Sequence, residues 1–330
     1  MYAEIPFWLS VAFIIGGLAA LAWSSDAFVD GASSLAKALG ISPFIIGMVI
    51  IGFGTSAPEL CVSVMSGLSG HANLSIGNAY GSCVFNIAAI LGVAALVSPL
   101  VVKPATAFVA GPALAATAAL SFFLLRDGAC SRAEALSLLA IFLVLLPLYC
   151  WFDQRSGSGA GPTHQPAEAG RGMLSVAALK LTAGLAVLVG SSHVLVWGSV
   201  DFARAMGVSD LMIGLTIVAV GTSLPELASA VASARRGESE FVLGNIVGSN
   251  FFNTLAVVGL ASSISPAAEF SRCVVTRDIP AMALLSLSIT ALGANWRRPS
   301  EPGRAGRVAG ALWVLAFAAY TALVLAQEAG

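Results

Sequence analysis

Residues Gly54 to Glu59 read G-T-S-A-P-E and residues Gly221 to Glu226 read G-T-S-L-P-E, 167 positions apart and each inside a long apolar stretch. Each hexamer carries one carboxylate (Glu59, Glu226), two hydroxyls (Thr55 and Ser56, Thr222 and Ser223) and a proline (Pro58, Pro225). Thr55 and Ser56 stand one helical turn before Glu59, so the spacing lets all three share a helix face. Proline has no N–H to offer the carbonyl four residues back, so the carbonyls of Gly54 and Gly221 lose their helical donor. Such carbonyls at membrane depth must be buried in protein or line a wet cavity. Carboxylate, hydroxyl and carbonyl oxygens, with no sulfur or imidazole among them, suit Ca2+ and Na+ and disfavour zinc or copper.

A second pair of blocks follows: G-N-A-Y-G-S-C-V-F-N at Gly77–Asn86 and G-N-I-V-G-S-N-F-F-N at Gly244–Asn253. Ser82 and Asn86 share a helix face, as do Ser249 and Asn253, and their oxygens would complete a coordination sphere. The glycines let neighbouring helices approach closely. A lone serine or G-x-x-x-G in a membrane helix is usually packing. A carboxylate at mid-span costs ~2.5–3.5 kcal/mol on insertion scales. Two of them in matching settings argue for function. Asp26 and His193 also occupy equivalent positions, whereas Asp30 and Asp201 do not match each other, and helix-end solvation is their simpler reading.

The elements that must position these residues are membrane spans. The chain has 330 residues, 58% apolar and 10% charged, with a mean hydropathy of +0.90; soluble domains carry about 25% charged residues. The net charge of −1 argues against nucleic acid. Five cysteines (Cys61, Cys83, Cys130, Cys150, Cys273) lack metal-ligand spacing and read as small core residues. Ten apolar segments are long enough to span, near 6–36, 42–68, 73–98, 105–126, 132–152, 173–204, 209–235, 240–264, 276–295 and 307–327. The first reads as a retained helix and not a cleaved signal. A Gly/Ser-rich linker, 153–172, separates a first unit, 1–152, from a second, 173–330. Shifting the chain by 167 residues aligns Ser24–Pro99 with Ser191–Pro266 without a gap and with 31 identities in 76 positions. The chain is therefore an internal duplication. Five spans per unit, an odd number, would insert the second unit upside down, an arrangement that places transporter substrates at the midplane between repeats. Eleven of the sixteen Lys and Arg residues fall on one side when the N-terminus is placed outside. The positive-inside rule then predicts both termini outside and the linker in the cytoplasm.

At these motifs the chain resembles the sodium/calcium exchanger family of the cation/calcium exchanger superfamily, in particular prokaryotic sodium/calcium antiporters. The resemblance spans both blocks and their flanking helices, about Ser24–Pro99 and Ser191–Pro266. It implies an all-α integral membrane fold of ten transmembrane helices in two inverted five-helix repeats, with helices 2 and 7 broken. It implies Glu59 and Glu226 as central ligands, with Thr55, Ser56, Thr222 and Ser223 lining the sites. The carbonyls of Gly52 and Ala219 and the side chains of Ser82, Asn86, Ser249 and Asn253 complete the implied set. Asn253 stands where some prokaryotic relatives carry Asp, and Cys83 where Asn or Ala is commoner. Calcium/proton exchangers carry an acid in the G-N-x-x-E version of the second block; Gly81 and Gly248 stand there in this chain.

The implied function is antiport of Na+ for Ca2+ by alternating access in the plasma (inner) membrane. Ca2+ and Na+ are the substrates, the lipid bilayer is the surroundings, and neither cofactor nor obligatory protein partner is expected. One Ca2+ or two Na+ would neutralise both carboxylates, so loaded forms cross more readily than an empty, doubly anionic site. The alternatives are a Ca2+/H+ antiporter, exchange of another divalent cation, a passive channel, and an intramembrane enzyme using both glutamates. No nucleophile arrangement near the motif supports the last.

Overall fold

Apolar runs of this length leave the backbone no water to bond, so helices must satisfy it internally. The computed structural model describes residues 6–155, 171–207 and 219–328. Among the described residues, eight helices are long and apolar enough to cross a membrane, and a bent pair makes a ninth. The protein is thus a multi-pass, predominantly helical membrane protein.

The first helix, α1 (Phe7–Leu39), ends on Gly40, whose φ of 62° makes the left-handed cap that glycine favours. After Ser42, whose hydroxyl accepts the Ile45 N–H, come α2 (Pro43–Ile46), a π-helical turn (Gly47–Ile51) and α3 (Gly52–Thr55). The chain breaks at Ser56 (φ −83°, ψ 5°) and restarts as α4 (Ala57–Leu68), bent by 43°. Pro58 lies in the first turn of α4, where a missing N–H costs nothing. The next span joins α5 (Ala72–Phe85), a π-helical turn (Asn86–Leu91) and α6 (Gly92–Val97). After strand β1 (Leu100–Val102) come α7 (Gly111–Leu125), α8 (Arg132–Arg155) and α9 (Arg171–Ala205).

Beyond residue 218, the short α10 (Ala219–Gly221) precedes a turn at Thr222 and Ser223 and then α11 (Leu224–Arg235), which again has proline in its first turn. The α12 helix (Ser239–Phe251) continues through a π-helical turn (Phe252–Val257) into α13 (Val258–Ile264). Then follow α14 (Ile279–Gly293), strand β2 (Gly303–Ala305) and α15 (Arg307–Glu328).

Nine expected spans coincide with these elements to within a few residues. The seventh, near 209–235, is described only from residue 219. Most of the expected linker, 156–170, lies outside the described residues; its flanks belong to α8 and α9.

The all-helical membrane architecture is as expected, with one short addition: β1 and β2 pair antiparallel, with Val101 opposite Arg304. Val-rich β1 follows Pro99, and Gly303 sits against the backbone of Ala294 and Asn295, where a Cβ would not fit. One expectation is corrected. The cysteines are not uniformly core residues: Cys83 and Cys130 are buried, but Cys61 is exposed.

The span Ser239–Ile264 is buried throughout its apolar window and forms the molecule's centre. It lies against α2, α3 and the intervening turn through glycines on both sides. A Cβ on Gly47 would stand 2.9 Å from the Phe241 carbonyl oxygen, and one on Gly52 2.9 Å from Ser249 N. The long α1 and α9 helices pack along each other at Gly17, Gly31, Gly184 and Gly198. Trp8, Trp23, Leu143 and Leu284 are exposed on the outer surface, as a lipid-facing belt requires.

Candidate functional site

The breaks at Ser56 and Ser223 bring the two hexamers together. Thr55, Ser56, Glu59, Ser223, Glu226, Ser249 and Asn253 are all 0% exposed, Asn86 is 1% and Ser82 5%. Ser56 Oγ donates to Glu226 Oε1 at 2.8 Å, and Ser223 Oγ donates to Glu59 Oε1 at 2.7 Å. Each hexamer's serine therefore serves the other hexamer's carboxylate. This corrects the shared helix face read from spacing. Because the helix stops at Thr55 and restarts at Ala57, Ser56 belongs to a turn and points across the molecule.

Ser223 also lies 3.4 Å from Ser82 Oγ, which joins the second block to the first. Thr222 lies within electrostatic reach of Glu59, and Thr55 within reach of Glu226. Thr55 Oγ1 bonds the Ile51 carbonyl at 3.0 Å and lies 3.4 Å from Asn245 Oδ1. Ser249 Oγ is 3.4 Å from the Gly52 carbonyl oxygen, which also accepts the Ser56 N–H at 3.1 Å. The single Ser249 hydroxyl proton is shared between that carbonyl and Asn245 Oδ1, also at 3.4 Å. Ala219 lies in α10, directly before the second turn.

Two residues of the second blocks do more than the sequence reading gave them. Asn78 Nδ2 donates to the Glu59 carbonyl (3.3 Å) and to Ser63 Oγ (3.1 Å). Asn245 Nδ2 donates to the Glu226 carbonyl (3.4 Å) and to Ser229 Oγ (3.0 Å). Each fixes the helical turn that carries a carboxylate. Their recurrence at the 167-residue offset was the available signal.

Among the described residues, several buried polar atoms have no partner: Glu59 Oε2, Glu226 Oε2, Asn86 Oδ1, and both Oδ1 and Nδ2 of Asn253. Leaving a buried acceptor unmade costs ~1–3 kcal/mol, more for a charged group. No Lys, Arg or His among the described residues pairs with Glu59 or Glu226. The arrangement can receive a cation on oxygen donors supplied by both halves of the chain, and the orphaned oxygens fit that use.

The other polar residues singled out lie elsewhere. Asp30 pairs with Lys180 (2.6 Å), and Arg236 approaches Asp30 (3.6 Å) and Asp26 (3.7 Å), tying α1 to α9 and to the end of α11. Asp201 accepts Ser10 Oγ at 2.6 Å, and exposed His193 contacts the Val189 carbonyl of its own helix.

The family model for the sodium/calcium exchanger protein matches residues 9–151 and 176–326. The inner membrane protein YrbG of Escherichia coli is 37% identical over 300 residues, covering 90% of this chain and 91% of its own. The sodium/calcium exchanger MaX1 of Methanosarcina acetivorans is 31% identical over 319 residues, covering 86% of this chain and 91% of its own. Among solved structures, the sodium-calcium exchanger NCX_Mj, soaked with Na+ and Sr2+, superposes with a TM-score of 0.82 at 27% identity, covering 96% of this chain and 99% of that one. The chain therefore belongs to the sodium/calcium exchanger family.

Proposed function

We propose that this protein is a secondary antiporter that exchanges Na+ for Ca2+ by alternating access, binding its ions between two inverted five-helix repeats. The observation that carries this reading is the pair of buried carboxylates, each bonded by the other half's serine and each, among the described residues, with one orphaned oxygen and no cationic partner. On this reading Glu59 and Glu226 are the central ligands. Thr55, Ser56, Thr222, Ser223, Ser82, Asn86, Ser249 and Asn253 surround them, with the carbonyls of Gly52 and Ala219. The repeats are 1–152 and 173–330, joined by a cytoplasmic linker at 153–172. Ten spans place both termini outside the inner membrane, with helices 2 and 7 broken at the two hexamers.

Burial of two ionised carboxylates makes the empty site costly to carry through a closed state. A Ca2+ or a pair of Na+ removes that cost, so exchange is favoured over leak. Gathered Glu, hydroxyl and amide oxygens suit ions that take many oxygen ligands. The names of the relatives, one a sodium/calcium exchanger and one solved with Na+ and Sr2+, support the choice of ions.

The test uses the full-length protein in sealed vesicles. Vesicles loaded with Na+ and diluted into Na+-free medium are expected to take up radiolabelled Ca2+, and Mg2+ or Mn2+ to compete weakly. Equal uptake with and without the Na+ gradient would contradict sodium coupling. Uptake driven by a pH gradient alone would establish proton exchange in its place.

A further inference from the structure

Cys83 and Asn250 occupy equivalent positions, 167 residues apart, and they meet at the buried centre. Asn250 Nδ2 donates to the Cys83 carbonyl at 3.3 Å, and Cys83 Sγ donates to the Asn250 carbonyl at 3.8 Å. A carbonyl only accepts, so Asn250 must turn its NH2 towards Cys83. Its Oδ1 then faces Asn86, which meets it with Nδ2 at 3.1 Å. Among the described residues, Asn86 Oδ1 is left buried and without a donor. The orientation of both amides thus follows from a backbone group that cannot flip.

Cys83 builds only half of the equivalent chain. Its thiol reaches the Asn250 carbonyl and lies 3.5 Å from Thr254 Oγ1, but it has no amide oxygen to hold Asn253. Among the described residues, Asn253 accordingly finds a partner for neither Oδ1 nor Nδ2, although it is 0% exposed.

We propose that Asn250 is a positioning residue that locks Asn86 with its oxygen presented to the cation, and that Cys83 leaves Asn253 free to turn. The two halves then contribute one preset amide and one adjustable amide to the same site. This rests on the assignment of Asn86 and Asn253 as ligands in the proposed antiporter. A preset ligand loses less side-chain freedom when the ion binds. An adjustable one lets a single site serve ions that differ in charge and in coordination number.

The test compares Asn250→Cys, which introduces the side chain its counterpart already carries, with Asn86→Ala, Asn253→Ala and their double variants. The readouts are KM and Vmax for Na+-driven Ca2+ uptake and the thermal unfolding midpoint. Asn250→Cys should raise the Ca2+ KM about threefold to tenfold, the cost of freezing one side chain, with Vmax near that of the parent and the midpoint lowered, because Asn86 Nδ2 and the Cys83 carbonyl lose their partner. It should add nothing in the Asn86→Ala background and its full effect in the Asn253→Ala background. The exchanged pair Cys83→Asn with Asn250→Cys should bring KM back, because one amide is tied again. An equal KM rise with and without Asn86 would overturn the relay, as would an unchanged KM in Asn250→Cys when Asn86→Ala raises it. If Asn86→Ala itself leaves KM unchanged, the ligand assignment fails and the relay with it. Should Asn250→Cys not fold, Asn250→Ala is read by the same criteria.

Discussion

Gly248 is where the route from packing to binding is most sharply testable. A Cβ there would fall onto the Met48 carbonyl oxygen and within 2.6 Å of Met48 Cα and 2.7 Å of its carbonyl carbon. Ordinary contact begins at 3.4 Å, and every atom met is backbone, so no rotamer change relieves the overlap. The α12 helix must part from the π-helical turn at Gly47–Ile51 by about 1.3 Å to bring the nearest overlap to ordinary contact, and overpacking of this kind costs ~1–3 kcal/mol. The same shift carries Ser249 and Asn253 away from Thr55, Glu59 and Glu226. If the strain falls on the site, Gly248→Ala weakens Ca2+ by roughly tenfold to a hundredfold, since ~1.4 kcal/mol is tenfold. The assay is the Ca2+ KM in Na+-loaded vesicles, read with the thermal midpoint in detergent. Gly244→Ala, whose Cβ would meet the Phe44 carbonyl oxygen, should behave alike. Leu143→Ala on the lipid-facing surface should change neither. A Gly248→Ala protein with native KM and native midpoint would refute the reasoning.

Two further outcomes are expected. Ser56→Ala and Ser223→Ala should each cost ~1.5–3 kcal/mol in Ca2+ binding, the range for a hydrogen bond to a charged group. In the unfolding free energy of the ion-free protein the two halves should couple, with Ser56→Ala non-additive with Glu226→Gln and additive with Glu59→Gln, as a double-mutant cycle would show. At the start of α12, burial raises the Glu238 carboxyl above its ordinary range, against the lowering effects of Ser33, Arg236 and Lys37. The folded state therefore holds this proton more tightly than the unfolded state, and stability falls as pH rises above the ordinary carboxylate range. Glu238→Gln should raise the unfolding midpoint near pH 7 and leave it unchanged near pH 4; an equal shift at both would contradict the assignment.

The sequence made much of this architecture legible, for reasons that differ by element. Spans follow from apolar length, so nine of ten expected segments coincide with described helices. The breaks follow from Pro58 and Pro225, because proline is accommodated in a helix's first turn. What escaped was long-range pairing. That Ser56 serves Glu226 depends on where α3 meets α11, a relation that local spacing does not encode. Asn78 and Asn245 were visible as repeated residues, but their bonds to the carbonyls of Glu59 and Glu226 required the helices to be placed. The β1–β2 pair escaped because three-residue strands in loops carry no periodic signal. Cys83 stood out as a departure from the commoner Asn or Ala, and only the contact with Asn250 gave that departure a consequence.

The central claim is that Glu59 and Glu226 form one cation site shared by the two halves. Calorimetric titration of the purified full-length protein with Ca2+ tests it most directly. One Ca2+ per chain is expected, with binding lost in both Glu59→Gln and Glu226→Gln. Two independent Ca2+ per chain, or full-affinity binding retained in either variant, would contradict it.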